Sequence, residues 1–342
     1  MSSYDYDVIV VGGGSPADGG LRVALVEREL VGGECSYWAC IPSKTLLRPD
    51  EAVQGAREAA ASAQVDVHAA LAWRDFMVSD YSDAGQERWL AGKGIDLLRG
   101  TGKLAGSGVV DVDGVRHTAR HIVVASGSDP VMPPILGLRE LEGVWTNRGV
   151  TGMKAIPRRL LILGGGPVGA EMAQAVRRLG GEVALIEAAA HVLAREPAPL
   201  GEALGEVLRR DGVELLLGVH ATAARRDGAD YVLTLDDGRS LRGDHLLVAT
   251  GRRPRAAAGH PGHPRPGSSR RAARHHPALP HLLRDLRRRP QSTAQPDHRR
   301  PPADRPNDGV TRQKTVAQSF FMLTIVQPFL PATSSACSAP LV

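Results

Sequence analysis

Residues 160–187, LLILGGGPVGAEMAQAVRRLGGEVALIE, decide the fold. An apolar run of strand length leads into a turn where Gly164, Gly166 and Gly169 have the spacing G-x-G-x-x-G. A helix-length segment follows, and a second apolar run closes on Glu187. Strand, tight turn, helix and strand in that order make a βαβ unit with parallel strands. The glycines allow the turn, let a pyrophosphate approach the backbone, and let the helix pack closely on the sheet; the helix N-terminus then favours phosphate charge. Glu187, 23 residues beyond Gly164, stands where a carboxylate accepts hydrogen bonds from a ribose 2′-hydroxyl. A carboxylate repels a 2′-phosphate, and no Arg stands between Glu187 and Arg195 to hold one, so NAD is favoured over NADP.

Residues 6–27, YDVIVVGGGSPADGGLRVALVE, begin in the same way. Gly12 and Gly14 follow an apolar strand, and Glu27 ends a second one only 15 residues after Gly12. Against the first ruler this copy is 8 residues short, about two helical turns. Pro16 falls where the helix should begin, and Gly19-Gly20 ends it almost at once. One turn of helix covers little sheet and aims little dipole at a phosphate. The expected fold class is α/β with two Rossmann-like dinucleotide-binding units, the first incomplete.

Between the units' motifs lies GGECSYWACIPSK, residues 32–44. Cys35 and Cys40 are spaced to close a short disulfide loop that runs into a helix. Such a pair can be oxidised and reduced repeatedly, because a thiolate attacks and its neighbour resolves the mixed disulfide. The bland alternative is two packed cysteines in a helix. Structural zinc would need further Cys or His ligands, and none stands near in the sequence, so no metal site is expected. Three cysteines make no disulfide scaffold, and Cys337 has no assigned role.

The order of motifs resembles the class I pyridine nucleotide-disulfide oxidoreductases, flavoenzymes that include dihydrolipoamide dehydrogenase, glutathione reductase and mercuric reductase. First comes a dinucleotide motif, then the C-x4-C-x-P-S-K segment and VVASGSDP at 123–130. A second dinucleotide motif follows, and VATGRRP at 248–254 ends the likeness, which spans about residues 4–255. The resemblance implies an FAD-binding domain at 1–148 and an NAD(P)-binding domain at 149–255. It implies that Cys40 lies beside the flavin and that Cys35 is the interchange thiol. Lys44 would approach the flavin, paired with Glu171. Gly12, Gly14, Glu27, Gly102, Ser126 and Gly127 would bind FAD; Gly164, Gly166, Gly169, Glu187 and Gly251 would serve the nicotinamide nucleotide. Electrons would pass from NAD(P)H through the flavin to the Cys35–Cys40 pair and on to a small-molecule or protein disulfide, or in reverse from a dithiol. Within the family, the extra C-terminal cysteine pair that mercuric reduction uses is not found here. The dihydrolipoamide-dehydrogenase-like branch is the default.

After Arg255 the family pattern stops. The second flavin segment and the interface domain expected of the family do not follow, so the family homodimer is not expected. Residues 256–342 carry 13 Lys and Arg against 4 Asp, with no Glu, which leaves 29 basic and 33 acidic residues in the first 255. The net charge of +5 therefore belongs to this segment. It reads as disordered, without helical or strand period. One explanation is a basic arm on a non-catalytic NAD-binding remnant, holding a polyanion such as nucleic acid. The explanation favoured here is translation out of frame, so nucleic-acid binding is not expected. The stretch 316–331 is too short to span a bilayer, and the start MSSYDYDVIVV lacks a basic n-region, so a cytoplasmic protein is expected. A flavin site left partly uncovered should retain flavin weakly, and the purified chain should be colourless or pale yellow. A stoichiometric flavin absorbance spectrum would overturn that expectation.

Overall fold

A computed structural model of the chain describes residues 4–13 and 20–255. Gly14, the short connection expected at 14–19 and the basic segment 256–342 lie outside the described residues. Strands β1 (Tyr6–Val11) and β2 (Val23–Glu27) are almost continuously apolar, as parallel strands buried on both faces must be. Helices α1 (Gly33–Tyr37), α2 (Cys40–Glu58), α3 (Val67–Met77) and α4 (Ala84–Gly92) follow. Then come β3 (Ile95–Arg99), β4 (Gly102–Gly106), β5 (Val109–Val112) and β6 (Val115–Val124).

These strands form one sheet in the order β3-β2-β1-β6-β5-β4, parallel from β3 to β6 and antiparallel from β6 to β4. Val8, Val10, Val23 and Leu25 pack against Leu90 of α4 on one face. On the other face Ile9, Val11, Ala24 and Val26 meet Val110, Val112 and Ala119, where the antiparallel meander folds back.

The chain continues through β7 (Ser128–Pro130) and α5 (Asn147–Thr151) to β8 (Arg159–Leu163), α6 (Pro167–Arg178) and β9 (Glu182–Glu187). Helix α7 (Ala198–Arg210) and β10 (Glu214–Leu217) follow. The last strands are β11 (Ala221–Asp227), β12 (Asp230–Leu235), β13 (Ser240–Gly243), β14 (His245–Val248) and β15 (Arg252–Pro254). A second parallel sheet has the order β10-β9-β8-β14, and β11-β12-β13 form an antiparallel layer beside it. Helix α6 starts on Pro167, whose ring favours the first helical position, and buries Met172, Ala173 and Val176 against this sheet.

The two parallel sheets are copies of one plan, and their registers show where they differ. Val10 pairs with Leu25 and Val123; Ile162 pairs with Leu185 and Leu247. The offset is 152 from Val10 to Ile162 but 160 from Leu25 to Leu185, so the eight-residue shortfall lies wholly between the first two strands. The difference reaches the packing. Leu247 is fully buried under α6 and Trp145, whereas Val123 at the matching place is 48% exposed.

Arg74 on α3 is fully buried. Its guanidinium donates to the carbonyls of Thr151 and Met153 and to Asp75 Oδ1, tying α3 to the end of α5. An Arg74→Met variant keeps the bulk but leaves those carbonyls without donors, and should lose about 3 kcal/mol of stability in urea unfolding at neutral pH. A loss below about 1 kcal/mol would show that water replaces the donors.

Candidate functional site

Both glycine turns bring backbone against backbone. A Cβ on Gly12 would stand 2.2 Å from the Ala125 carbonyl oxygen, and one on Gly164 would stand 2.6 Å from that of Ala249. Both residues have positive φ, 110° and 103°. Any side chain is therefore excluded by space as well as by conformation. Gly169 is confined even more tightly, since its Cβ would lie 1.9 Å from the Gly164 oxygen. Gly166 caps α6 without such a contact.

The strand-end acids are held identically. Glu187 Oε2 accepts the Gly165 N–H at 2.6 Å and Oε1 the Ala189 N–H at 2.8 Å. Glu27 Oε2 accepts the Gly13 N–H at 2.6 Å and Oε1 the Glu29 N–H at 2.8 Å. The first unit thus keeps the turn and the acid on either side of its shortened connection.

A cleft leads from Gly12 and Glu27 past Gly102, Ser126 and Gly127 to Glu34, Tyr37 and Trp38. A Cβ on Gly102 would come within 3.0 Å of Val11 and Val26, so its bareness keeps the cleft floor low. This lining fits the adenosine side of FAD: a bare backbone turn, a carboxylate at the strand end and a glycine floor. The segment that would meet its phosphates, 14–19, is not among the described residues. Gly251 lies beside the second turn, where its carbonyl accepts the Val131 N–H at 2.9 Å.

Cys35 and Cys40 form a disulfide, with Cα atoms 4.7 Å apart. Both cysteines are exposed. Cys35 lies on the single-turn α1, and Cys40 is the first residue of α2. Pro42 is tolerated there because the first helical turn needs no N–H from it. Gly32 and Gly33, at φ 126° and 66°, turn the chain into α1.

The approach to that turn is clamped at Val31. Its N–H donates to Asp83 Oδ2 at 2.8 Å, and its carbonyl accepts the buried Tyr37 hydroxyl at 3.0 Å. Burial, reinforced by the Asp83 charge, pushes the Tyr37 phenol up to about 12. Burial also raises the Asp83 carboxyl, but hydrogen bonds from Arg99 and the Val31 N–H outweigh it and hold Asp83 below its ordinary value.

Lys44 donates from α2 to Glu171 Oε1 on α6. A second ion pair, Asp50 Oδ2 to Arg178 Nε at 3.2 Å, joins the same helices further along. Sequence reasoning missed Asp50 and Arg178, and also Glu34, Asn147, Arg148 and Arg252, which surround the redox loop. Glu34 and Arg252 lie inside quoted motifs, but no motif marks the pairing of any of these residues, because their partners lie 105 to 218 positions away.

Fold and site together define a protein with two dinucleotide-type α/β units and a disulfide between α1 and α2 of the first, where α2 packs on α6 of the second. The chain belongs to the pyridine nucleotide-disulphide oxidoreductase family, whose pattern matches residues 6–262. It is 35% identical to dihydrolipoyl dehydrogenase of Thermus scotoductus over 269 residues, which is 73% of this chain and 58% of that protein. It is 29% identical to glutathione reductase of Burkholderia cepacia, covering 74% of this chain and 59% of the relative. Among solved structures it is similar to the HOCl-induced flavoprotein disulfide reductase RclA from Escherichia coli, with a TM-score of 0.64 and 27% identity. That match covers 74% of this chain and 58% of the other. The chain therefore spans rather more than half the length of these relatives.

Because its folded-state pKa is depressed, Asp83 contributes stability in full above the ordinary carboxylate value of about 4 and loses it as pH falls through the lower one. Asp83→Asn should unfold at lower urea than the parent at pH 7, with the gap narrowing as pH falls below about 4. A gap that stays constant through the acid titration of the carboxyl would rule out the charge as its cause.

Proposed function

We propose that this chain is built as an FAD-dependent NAD(P)H:disulfide oxidoreductase, or as the reverse, dithiol-oxidising enzyme. The observation that carries the reading is the exposed Cys35–Cys40 disulfide at the start of α2, four residues from the Lys44–Glu171 pair. Bound FAD would supply the two-electron link between nicotinamide and that disulfide. Gly12, Gly14, Glu27, Gly102, Ser126 and Gly127 are the proposed flavin contacts, and Gly164, Gly166, Gly169, Glu187 and Gly251 the proposed nicotinamide-nucleotide contacts.

With the pair reduced, the Cys35 thiolate attacks one sulfur of the substrate disulfide, and the other substrate sulfur leaves and takes up a proton. The Cys40 thiolate then attacks Cys35, which closes the protein disulfide and releases the second substrate thiol. Two electrons and two protons pass to the substrate. Lys44 supplies a fixed cation beside Cys40, held by Glu171. Small-molecule or protein disulfides are the proposed substrates, and the cytoplasm, with its nicotinamide pool, is the proposed setting.

The eight-residue shortfall favours a second reading, a remnant that binds NAD without flavin. Flavin content and turnover separate the two. Under the first reading NADH drives disulfide reduction, and Cys40→Ser brings it to background with the purified chain still binding NADH. NADH binding by a chain that takes up no added FAD would instead select the remnant.

Glu187 is the proposed reason for NAD over NADP. Glu187→Gln keeps one acceptor oxygen, for the Gly165 N–H or the Ala189 N–H but not both, and removes the charge, so the ratio of NADH to NADPH affinity should fall about tenfold. An unchanged ratio in a binding titration would remove Glu187 from the selection.

A further inference from the structure

The exchange steps leave unexplained a set of side chains closed around one carboxylate beside Cys35. Glu34 Oε1 accepts both Arg148 Nε, at 2.9 Å, and Nη2, at 2.6 Å. Glu34 Oε2 accepts the Asn147 amide at 2.9 Å, and the same nitrogen donates to the Trp38 carbonyl at 3.0 Å. Asn147 is buried, and its own oxygen accepts Arg252 Nη1 at 2.6 Å. Arg252 Nη2 stands 4.0 Å from Glu34 Oε2. Arg148 also donates to Glu29 Oε2 at 2.9 Å and lies over the Trp38 ring, 5.3 Å from its centroid. Trp38 in turn stacks on Tyr81 with centroids 4.5 Å apart. Residues from α5 and β15 thus grip the redox segment through Glu34, just before Cys35, and Trp38, between the two cysteines.

This grip matters electrostatically. A free carboxylate on the residue next to a cysteine disfavours the thiolate, which is the attacking species. Charge-assisted bonds from a guanidinium hold such a carboxylate in place and offset its charge. Burial alone would lower the Arg148 pKa, but its bonds to Glu34 and Glu29 outweigh this and raise it, so the cation persists at every working pH.

We propose that Arg148 is a positioning residue for the Cys35 thiol, holding and neutralising Glu34 so that the sulfur ionises and attacks more readily. The inference rests on Cys35 being the interchange thiol. Other titratable or charged groups around the loop are Tyr37 on α1 and Glu29 before it. Lys44 with Glu171 stands on α2 and α6, Arg252 on β15, and Tyr81 beside Trp38 with Lys154 over its ring.

The test is the pH midpoint of iodoacetamide alkylation at Cys35. It is read by peptide mass in the full chain after reduction with dithiothreitol, without flavin or turnover. Arg148→Met should raise the midpoint by about half a unit to one unit, Glu34→Gln should not raise it, and the double variant should return close to the parent. Arg148→Lys, which keeps the charge, should stay within about 0.3 unit of the parent and serves if the Met variant does not fold. A midpoint unmoved in Arg148→Met overturns the proposal. So does a rise that Glu34→Gln fails to reverse, or a Lys variant that shifts by a full unit. Failure of the oxidoreductase reading is seen separately: disulfide turnover that survives Cys40→Ser leaves the alkylation midpoints as they are.

Discussion

The packing of α2 on α6 is the constraint around which the site is organised. Helix α2 begins with Cys40, and α6 begins at the glycine turn of the second unit, so their contact sets the redox sulfurs relative to a nucleotide-type turn. Two ion pairs of opposite sense fasten it. Lys44 meets Glu171, and six residues further on Asp50 meets Arg178. A two-turn slide of one helix would set Lys44 toward Arg178, like charge against like, so the pairs select a register as well as a contact. Arg178 also bonds Asp211 at 2.9 Å, which extends the fastening to the end of α7.

The two units show what a βαβ turn needs and what it can lose. In both, the first glycine passes against a carbonyl of the facing strand's end, and the strand-end glutamate takes the next glycine's N–H. Those contacts involve residues at the strand ends alone, so they survive a change in the length of what lies between. The helix contributes elsewhere. It covers the second sheet, where Leu247 is fully buried. Family membership and the shortened first connection are thus compatible: the turn geometry is local, and the covering is not.

Much of the fold was legible because parallel strands, glycine turns and a strand-end acid are encoded in contiguous stretches. The segment 160–187 specifies its strand, turn, helix and strand, and the internal copy makes the eight-residue gap visible in the sequence itself. The cysteine pair was legible for the same reason, since five residues is within reach of a disulfide. The Glu171 partner of Lys44 was found through resemblance. No spacing rule links residues 127 positions apart.

The sequence by itself determined the strands, the glycine turns and the acids that end them, and brought Cys35 and Cys40 within reach of a disulfide, because each rests on neighbours within one short segment. Only the tertiary structure decided which charges surround that disulfide. Glu34, Asn147, Arg148 and Arg252 are ordinary polar residues in three separate stretches, and their convergence depends on how α5 and β15 pack beside α1. It also decided that Arg74 lies fully buried on α3, where its donors meet the carbonyls of Thr151 and Met153. Hydrogen bonds between distant segments form only after the sheets have set those segments side by side, and no local pattern records them.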